Sequence, residues 1–320
     1  MKKLILSLLI ISLIKSGFSQ EYFEGVLSYK ISATTRLRTL PEKTFKTLMG
    51  VGDEMTCYIK KGFMKQVSGF ATNYYIASEK RIYTKFDKID TLYYRDFDSD
   101  TSLLLDSKKT DGVRTVCNIS CNSFMLKTHA YKSSYYYTVQ YRTDPNDGIE
   151  NSVAHYNEFI KACGGSLWLM SIFENPAGIL TDSCTKIEKR KLDDAIFKLP
   201  DLPKKDFTKT KFSTPVKFPG GQNEWINYLS KSINSKIAAQ YVSLPKGEPS
   251  ASVRLMVGFI INENGQTSEI EILNEEPVHP KLAEEAIRVI RESPNWIPAT
   301  VYGENVTAAF KQPITFRVDR

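Results

Sequence analysis

The sequence predicts an α+β protein in two parts. The first is a curved antiparallel sheet, a half-barrel, with one packed helix; the second is a small ββαβ unit. Three observations predict it: closely spaced β-prone runs fill the first 200 residues, one strongly amphipathic helical stripe lies between β-patterned runs in the last third, and an aperiodic stretch rich in Lys, Thr and Pro separates them. The expected boundaries are a leader over 1–19, the β-rich domain over 20–200, a linker over 201–217 and the second domain over 218–320.

The chain opens with Lys2 and Lys3, the apolar run Leu4 to Ile14, and Gly17-Phe18-Ser19, with small residues at −3 and −1 of a cut before Gln20. This reads as a secretory signal peptide. The apolar run has 11 residues and ends at Lys15, whereas a spanning helix needs roughly 20. No Cys precedes Cys57, so no lipidated cysteine is expected near the cut. Loss of Lys2, Lys3 and Lys15 takes the net charge from +7 to +4. The densest basic run, Lys186, Lys189, Arg190 and Lys191, is interleaved with Glu188 and followed by Asp193 and Asp194. A solvated helix face is expected there rather than a nucleic-acid patch.

Seven β-prone runs follow the leader: Gly25 to Ser32, Met55 to Val67, Asn73 to Ser78, Arg81 to Phe86, Thr91 to Phe97, Ser123 to Tyr131 and Tyr135 to Thr143. Their spacing and Gly, Asp and Ser turns predict one meandering antiparallel sheet. Val153, Tyr156, Asn157 and Ile160 recur at helical spacing before Gly164-Gly165, which predicts a helix over 150–162 packed on that sheet. Thr185 to Pro200 reads as a final strand running into a polar turn. The five cysteines, Cys57, Cys117, Cys121, Cys163 and Cys184, all lie in this part. Cys117 and Cys121 on one strand would sit roughly 13 Å apart at about 3.3 Å per residue, too far to bond to each other. An odd number leaves at least one thiol free, and the spacing fits no zinc pattern, so buried thiols or structural disulfides are expected.

Asp201 to Lys217 has no periodicity and reads as a linker reaching at most about 56 to 61 Å. Beyond it, Val253, Leu255, Val257, Phe259 and Ile261 alternate with their neighbours, Asn262 to Gly265 supplies turn chemistry, and Ser268 to Asn274 alternates again. That is a hairpin. Pro280 suits the first turn of a helix whose apolar stripe is Leu282, Ala286, Val289 and Ile290, with Arg288 and Arg291 at its negative dipole end and Pro294 stopping it. Val306 to Val318 is a third strand, which Pro313 assigns to an edge. Phe259, Trp296 and Phe310 are expected in the core.

In that order, Phe218-Pro219-Gly220-Gly221, Val257 to Leu273, His279 to Ile290, Pro294 to Ala299 and Ala308 to Phe316 resemble the C-terminal domain of TonB, the periplasmic energy transducer. The resemblance covers about a third of the chain, with Pro219, Gly220, Gly221, Gly265, Trp296 and Pro298 as its structural motif residues. It implies a periplasmic protein-interaction module that binds a TonB-dependent outer-membrane receptor, or another periplasmic protein, by strand addition. The third strand would receive the partner through Phe310, Ile314, Thr315, Phe316 and Val318. The membrane helix and long Pro-rich spacer of transducers have no counterpart here, so binding without an anchor of its own is the expectation.

More loosely, Phe23 to Ile31, Cys117 to Cys121 and Lys186 to Pro200 resemble the LolA-like half-barrel of secreted Bacteroidota proteins. That implies a concave sheet able to carry a lipid or lipoprotein, compatible with Phe124, Tyr135, Tyr136 and Tyr137. From burial alone, a sheet with one covered face is expected to fill its concavity with side chains. Catalysis has no candidate: His129, His155 and His279 lack a relay partner at a telling spacing, Gly220-Gly221 precedes no phosphate-binding lysine, and Asp193-Asp194 and Glu275-Glu276 read as solvated charges. No catalytic residue, metal ligand, cofactor or nucleic-acid partner is expected.

Overall fold

A computed structural model describes residues 21–97, 102–147, 155–274 and 276–320. The expected leader, together with Val153 and Glu275, lies outside them.

The first part is built from β1 (Gly25–Thr35), α1 (Glu42–Leu48), β2 (Glu54–Lys60), β3 (Phe63–Ser68), β4 (Ala71–Ile76), β5 (Arg81–Phe86), β6 (Leu92–Asp96), β7 (Leu104–Val116), β8 (Ile119–Thr128), β9 (Lys132–Arg142), α2 (Tyr156–Cys163), β10 (Ser166–Asn175) and β11 (Gly178–Lys189). With β12 (Lys204–Asp206) they form one twelve-stranded sheet in the order β12-β6-β5-β4-β3-β2-β1-β11-β10-β9-β8-β7. It is two antiparallel meanders sewn together where β1 pairs with β11, and β7 and β12 stand at opposite ends, so the sheet does not close.

The expected strand over 55–67 is two strands, because Gly62 sits at φ 79 and folds β2 back on β3. Strands β7 and β10 carry no local pattern that marks them as strands. The edge strand β7 is exposed along most of its length, with Lys108, Lys109, Asp111 and Arg114 in it, so no apolar alternation marks it. In β10, Leu167, Trp168, Leu169 and Met170 run together, a pattern that does not separate strand from helix. The basic run from Lys186 lies at the end of β11 and just beyond, not on a helix; Asp194 there pairs with Lys60 at 2.6 Å. Helix α2 ends at Gly164, φ 63, and drives Phe159 and Ile160 into Phe124, Tyr135 and Tyr137. Each such buried side chain contributes about 1.5–3 kcal/mol.

The segment expected as a linker is ordered. Lys204 to Asp206 pair in parallel with Leu92 to Tyr94 on β6, and Phe207 and Phe212 pack among Phe86, Tyr93 and Tyr302. Two phenylalanines in a Lys- and Thr-rich stretch make no periodic signal, yet they find an aromatic cluster in which Tyr302 stacks on Phe86 at 4.6 Å. Polar ties reinforce it: Lys43 to Glu263 at 3.0 Å, Lys88 to Glu304 at 2.6 Å, and the Thr307 amide donating to Thr44 Oγ1 at 3.3 Å.

The second part contains β13 (Ser213–Thr214), α3 (Gly221–Ser232), α4 (Ser235–Tyr241), β14 (Ser250–Ile261), β15 (Thr267–Ile272), α5 (Pro280–Arg291), β16 (Ala299–Val301), β17 (Glu304–Val306) and β18 (Ala308–Asp319). The expected hairpin, helix and third strand form the sheet β15-β14-β18 with α5 packed on it, and β13-β16-β17 make a second small sheet. Leu282, Ala286, Val289 and Ile290 are all buried, as the stripe requires. His279 caps α5, its Nδ1 accepting the Lys281 amide at 3.3 Å.

Candidate functional site

Two features of the fold can receive a ligand: the outer edge of β18 and the concave face of the large sheet.

The edge follows from hydrogen-bond alternation. The Leu273 amide donates to the Met256 carbonyl at 2.8 Å, and the Met256 amide donates to Asn274 Oδ1 at 2.8 Å, so both backbone groups of Met256 turn toward β15. Met256 lies opposite Pro313 on β18. In an antiparallel ladder the backbone groups alternate sides, so those of Pro313 face away from β14. Consistently, the Pro313 carbonyl accepts Gln312 Nε2 at 3.1 Å instead of a strand partner. By the same alternation Lys311, Thr315 and Arg317 present both donor and acceptor outward, and Pro313 presents only an acceptor. No strand pairs with this edge among the described residues.

Behind the edge, the domain is held by a locked turn. Asn262 Oδ1 accepts the amides of Asn264 and Gln266, both at 3.0 Å, and Gly265 follows at φ 80. The Trp296 amide donates to the Gly265 carbonyl at 2.8 Å, and a Cβ on Gly265 would lie 1.9 Å from the Trp296 carbonyl oxygen. Trp296 packs in turn against Phe218, Trp225, Phe259 and Phe310. Pro219 leads into Gly220 and Gly221, at φ 76 and 82, which let the chain enter α3 directly after Phe218.

The concave face of the large sheet is not filled. Against the expectation of a packed interior, it encloses a cavity of about 330 Å³, lined by Leu27, Tyr29, Met55, Cys57, Trp168 and Leu180 among others. Its lining draws on β1, β2, β3, β9, β10 and β11, with Ile160 of α2 and Met49 at the end of α1 beside them. Asp182 on β11 belongs to this lining. Ser171 on β10 donates to its Oδ2 at 2.9 Å, while its Oδ1 is buried without a hydrogen-bond partner. Burial pushes the Asp182 carboxyl up to about 6, and the Ser171 hydroxyl opposes that shift. Burial likewise pushes up the Cys57 thiol and the Tyr29 and Tyr135 hydroxyls around it. Lys60, Lys61, Asp144 and Asp147 bring charge to the same lining, with Lys61 largely exposed and paired to Asp144 at 2.9 Å.

Residues 252–318 match the family model of the Gram-negative bacterial TonB protein C-terminal. They form a TonB-like protein-interaction domain. No curated protein matches the chain. Among solved structures, PNGF-II in two crystal forms, P21 and C2, aligns at 9% identity and a TM-score of 0.36, covering 76% of this chain and 45% and 44% of theirs. The chain therefore spans less than half the length of those structures, and a likeness this weak carries no argument.

In the TonB-like domain, Gly265 and Trp296 come together as described, while Pro219, Gly220 and Gly221 precede the matched residues and sit at the entrance to α3. Pro298 follows Trp296 just before β16. Of the strand residues named for partner contact, Ile314 and Phe316 are buried in the domain's own core, Phe310 and Val318 are half-buried against it, and Thr315 is exposed. Sequence reasoning missed Glu285. Buried on α5, it accepts the Asn234 amide at 2.7 Å and both Arg288 Nη2 and Nε, at 2.8 and 2.9 Å, which fixes the α3–α4 turn to α5. Arg288 therefore serves this cluster, also donating to the Ser232 carbonyl at 2.7 Å, rather than only the helix dipole. The Glu-x-x-Arg spacing on a helix was the available signal. Asp182 was likewise missed: a single Asp in a β-run carries no pattern.

All five cysteines are free thiols in this structure, four of them buried. Cys117 lies in the turn between β7 and β8 at φ 50 and donates to the Cys184 carbonyl at 3.1 Å. His155 and His129 contact backbone, at Ser102 and Leu103.

Proposed function

We propose that this chain works in the bacterial envelope as a protein-interaction module, its TonB-like domain receiving an extended segment of an outer-membrane transport component on the free edge of β18. The outward row of backbone groups at Lys311, Thr315 and Arg317 is the observation that carries the reading. Main-chain hydrogen bonds would supply affinity. Because Ile314 and Phe316 are covered by the core, side-chain selectivity would rest on exposed Thr315 and Arg317 and on the partly accessible Phe310 and Val318. The missing donor at Pro313 would set the register and discourage indiscriminate pairing. The Lys2-Lys3 and Leu4 to Ile14 leader supports a periplasmic location, and no helix among the described residues is long and apolar enough to cross a membrane.

The test is a Thr315→Pro variant, checked by circular dichroism for retained fold and titrated with peptides from the extended periplasmic segments of outer-membrane receptors. Loss of one net backbone hydrogen bond of about 1 to 1.5 kcal/mol predicts roughly tenfold weaker binding. A folded variant that binds as tightly as the parent, or a parent that binds no such peptide, rejects strand addition at this edge.

A second reading has the cavity in its favour. The half-barrel would carry a small lipid-like molecule, and the TonB-like domain would dock the carrier. Mass spectrometry of small molecules extracted from the natively purified chain tests this: a stoichiometric ligand supports it, and an empty chain from the native host rejects it.

A further inference from the structure

We propose that the cavity of the half-barrel is a site for a small apolar amine, whose protonated nitrogen is received by the unpartnered oxygen of Asp182. The inference rests on the carrier reading of the half-barrel and goes further by naming the ligand's chemical class.

The size of the cavity bounds its occupant. At about 330 Å³ it stands at the lower end of the range of about 300–1,000 Å³ typical of small-molecule sites, room for one compact molecule rather than several acyl chains. The lining sets its character. Leu27, Met55, Leu180, Tyr29 and Trp168 offer apolar and aromatic surface to a hydrocarbon body.

Asp182 sets the polar end. Its Oδ2 is satisfied by Ser171, but Oδ1 is buried with no donor, an unfavourable state for a charged group. The groups facing it do not neutralise it. Tyr29 on β1 donates its hydroxyl to the Trp168 carbonyl at 3.0 Å, Cys57 on β2 is a buried thiol, and Tyr135 on β9 is a buried phenol. The lining holds the lysines Lys60 and Lys61 against the acids Asp144, Asp147 and Asp182. Both lysines are already engaged by acids, Lys60 by Asp194 at 2.6 Å and Lys61 by Asp144 at 2.9 Å. The Gly62 amide donates to Asp147 at 2.5 Å. That leaves Asp182 as the buried acid of the lining with an oxygen still to fill. A ligand with an ammonium group and an apolar body meets both demands: it brings donors to Oδ1 and charge opposite in sign to the carboxylate. A carboxylate-headed ligand such as a fatty acid would place like charge against Asp182. An alcohol would bring a donor without the charge.

The experiment titrates the purified full chain calorimetrically at pH 7.5 with octylamine, octan-1-ol and octanoate, and repeats the octylamine titration with Asp182→Asn. The expected order is octylamine at least about tenfold tighter than octan-1-ol, with octanoate weakest, and an octylamine affinity in the variant reduced about tenfold to the level of the alcohol. If none of the three binds, the cavity is not a ligand site and the carrier reading falls with the amine. If the three bind equally, or if Asp182→Asn holds octylamine as tightly as the parent, the amine assignment is wrong while the carrier reading stands. The three-probe comparison on the parent decides the question even where the variant does not fold.

Discussion

Replacing Gly265 by Ala tests the lock between the β14–β15 turn and Trp296. Two costs can be read from the structure. At φ 80 an alanine sits in the left-handed region, which costs roughly 1–2 kcal/mol. Its Cβ would also lie 1.9 Å from the Trp296 carbonyl oxygen, so the two segments must part by about 1.5 Å to reach the 3.4 Å of ordinary contact. A separation of that size breaks the 2.8 Å bond from the Trp296 amide to the Gly265 carbonyl, a further net loss of about 0.5–1.5 kcal/mol. The expected destabilisation is about 2–3 kcal/mol. Gly247→Ala isolates the steric part, since Gly247 has φ 95 but nothing within 4 Å of its would-be Cβ, and only the backbone cost of roughly 1–2 kcal/mol applies. Urea unfolding followed by near-ultraviolet circular dichroism, compared at equal m-value, measures both. If Gly265→Ala costs no more than Gly247→Ala, the contact with Trp296 is not what holds this turn.

Asp182 makes a pH prediction whose sign is fixed by burial. Its carboxyl is raised from 3.8 to about 6 in the folded chain, so the folded state binds the proton more tightly; the associated stability is present below pH 3.8 and lost as pH rises through 6, by about 3 kcal/mol at most. Thermal melts from pH 4 to 8 should show this slope in the parent and its absence in Asp182→Asn; identical profiles would count against the buried charge. Limited proteolysis should spare 204–214, since β12 is paired with β6 and Phe207 and Phe212 are packed in aromatic neighbours. Preferred cleavage between Lys204 and Thr214 under native conditions would instead favour a loose connection.

How far these features were legible depended on whether local pattern or long-range packing decides them. The C-terminal hairpin, helix and edge strand announce themselves: period-two alternation, a turn of Asn and Gly, the stripe from Leu282 to Ile290 and Pro313 each have a local physical cause. The half-barrel announces itself only in part. Strand β7 is polar because both its faces meet solvent, and β10 carries the unbroken apolar run Leu167 to Met170, so neither shows the alternation that marks a half-buried strand. The ordering of 201–217 was invisible for another reason. Phe207 and Phe212 become meaningful only beside Phe86, Tyr93 and Tyr302, which are remote in sequence. The candidate edge could be read from the position of Pro313, but which of its neighbours face outward could not, because that parity is set by Met256 turning toward β15. Nor could the cavity, whose lining joins residues as remote in sequence as Leu27, Met55, Tyr135, Trp168 and Asp182.

The placement of the indoles gives the molecule an optical division of labour. The chain has three tryptophans, at 168, 225 and 296. Trp168 lines the cavity with its ring 4.6 Å from that of Tyr29, while Trp225 and Trp296 are buried together in the core of the second part with ring centres 4.9 Å apart. An occupant of the half-barrel therefore touches one emitter and leaves the coupled pair unperturbed, whereas loosening of the C-terminal core alters the pair and leaves Trp168 alone. Intrinsic emission and the near-ultraviolet dichroic couplet can thus follow the two halves of the same chain separately, with no label added.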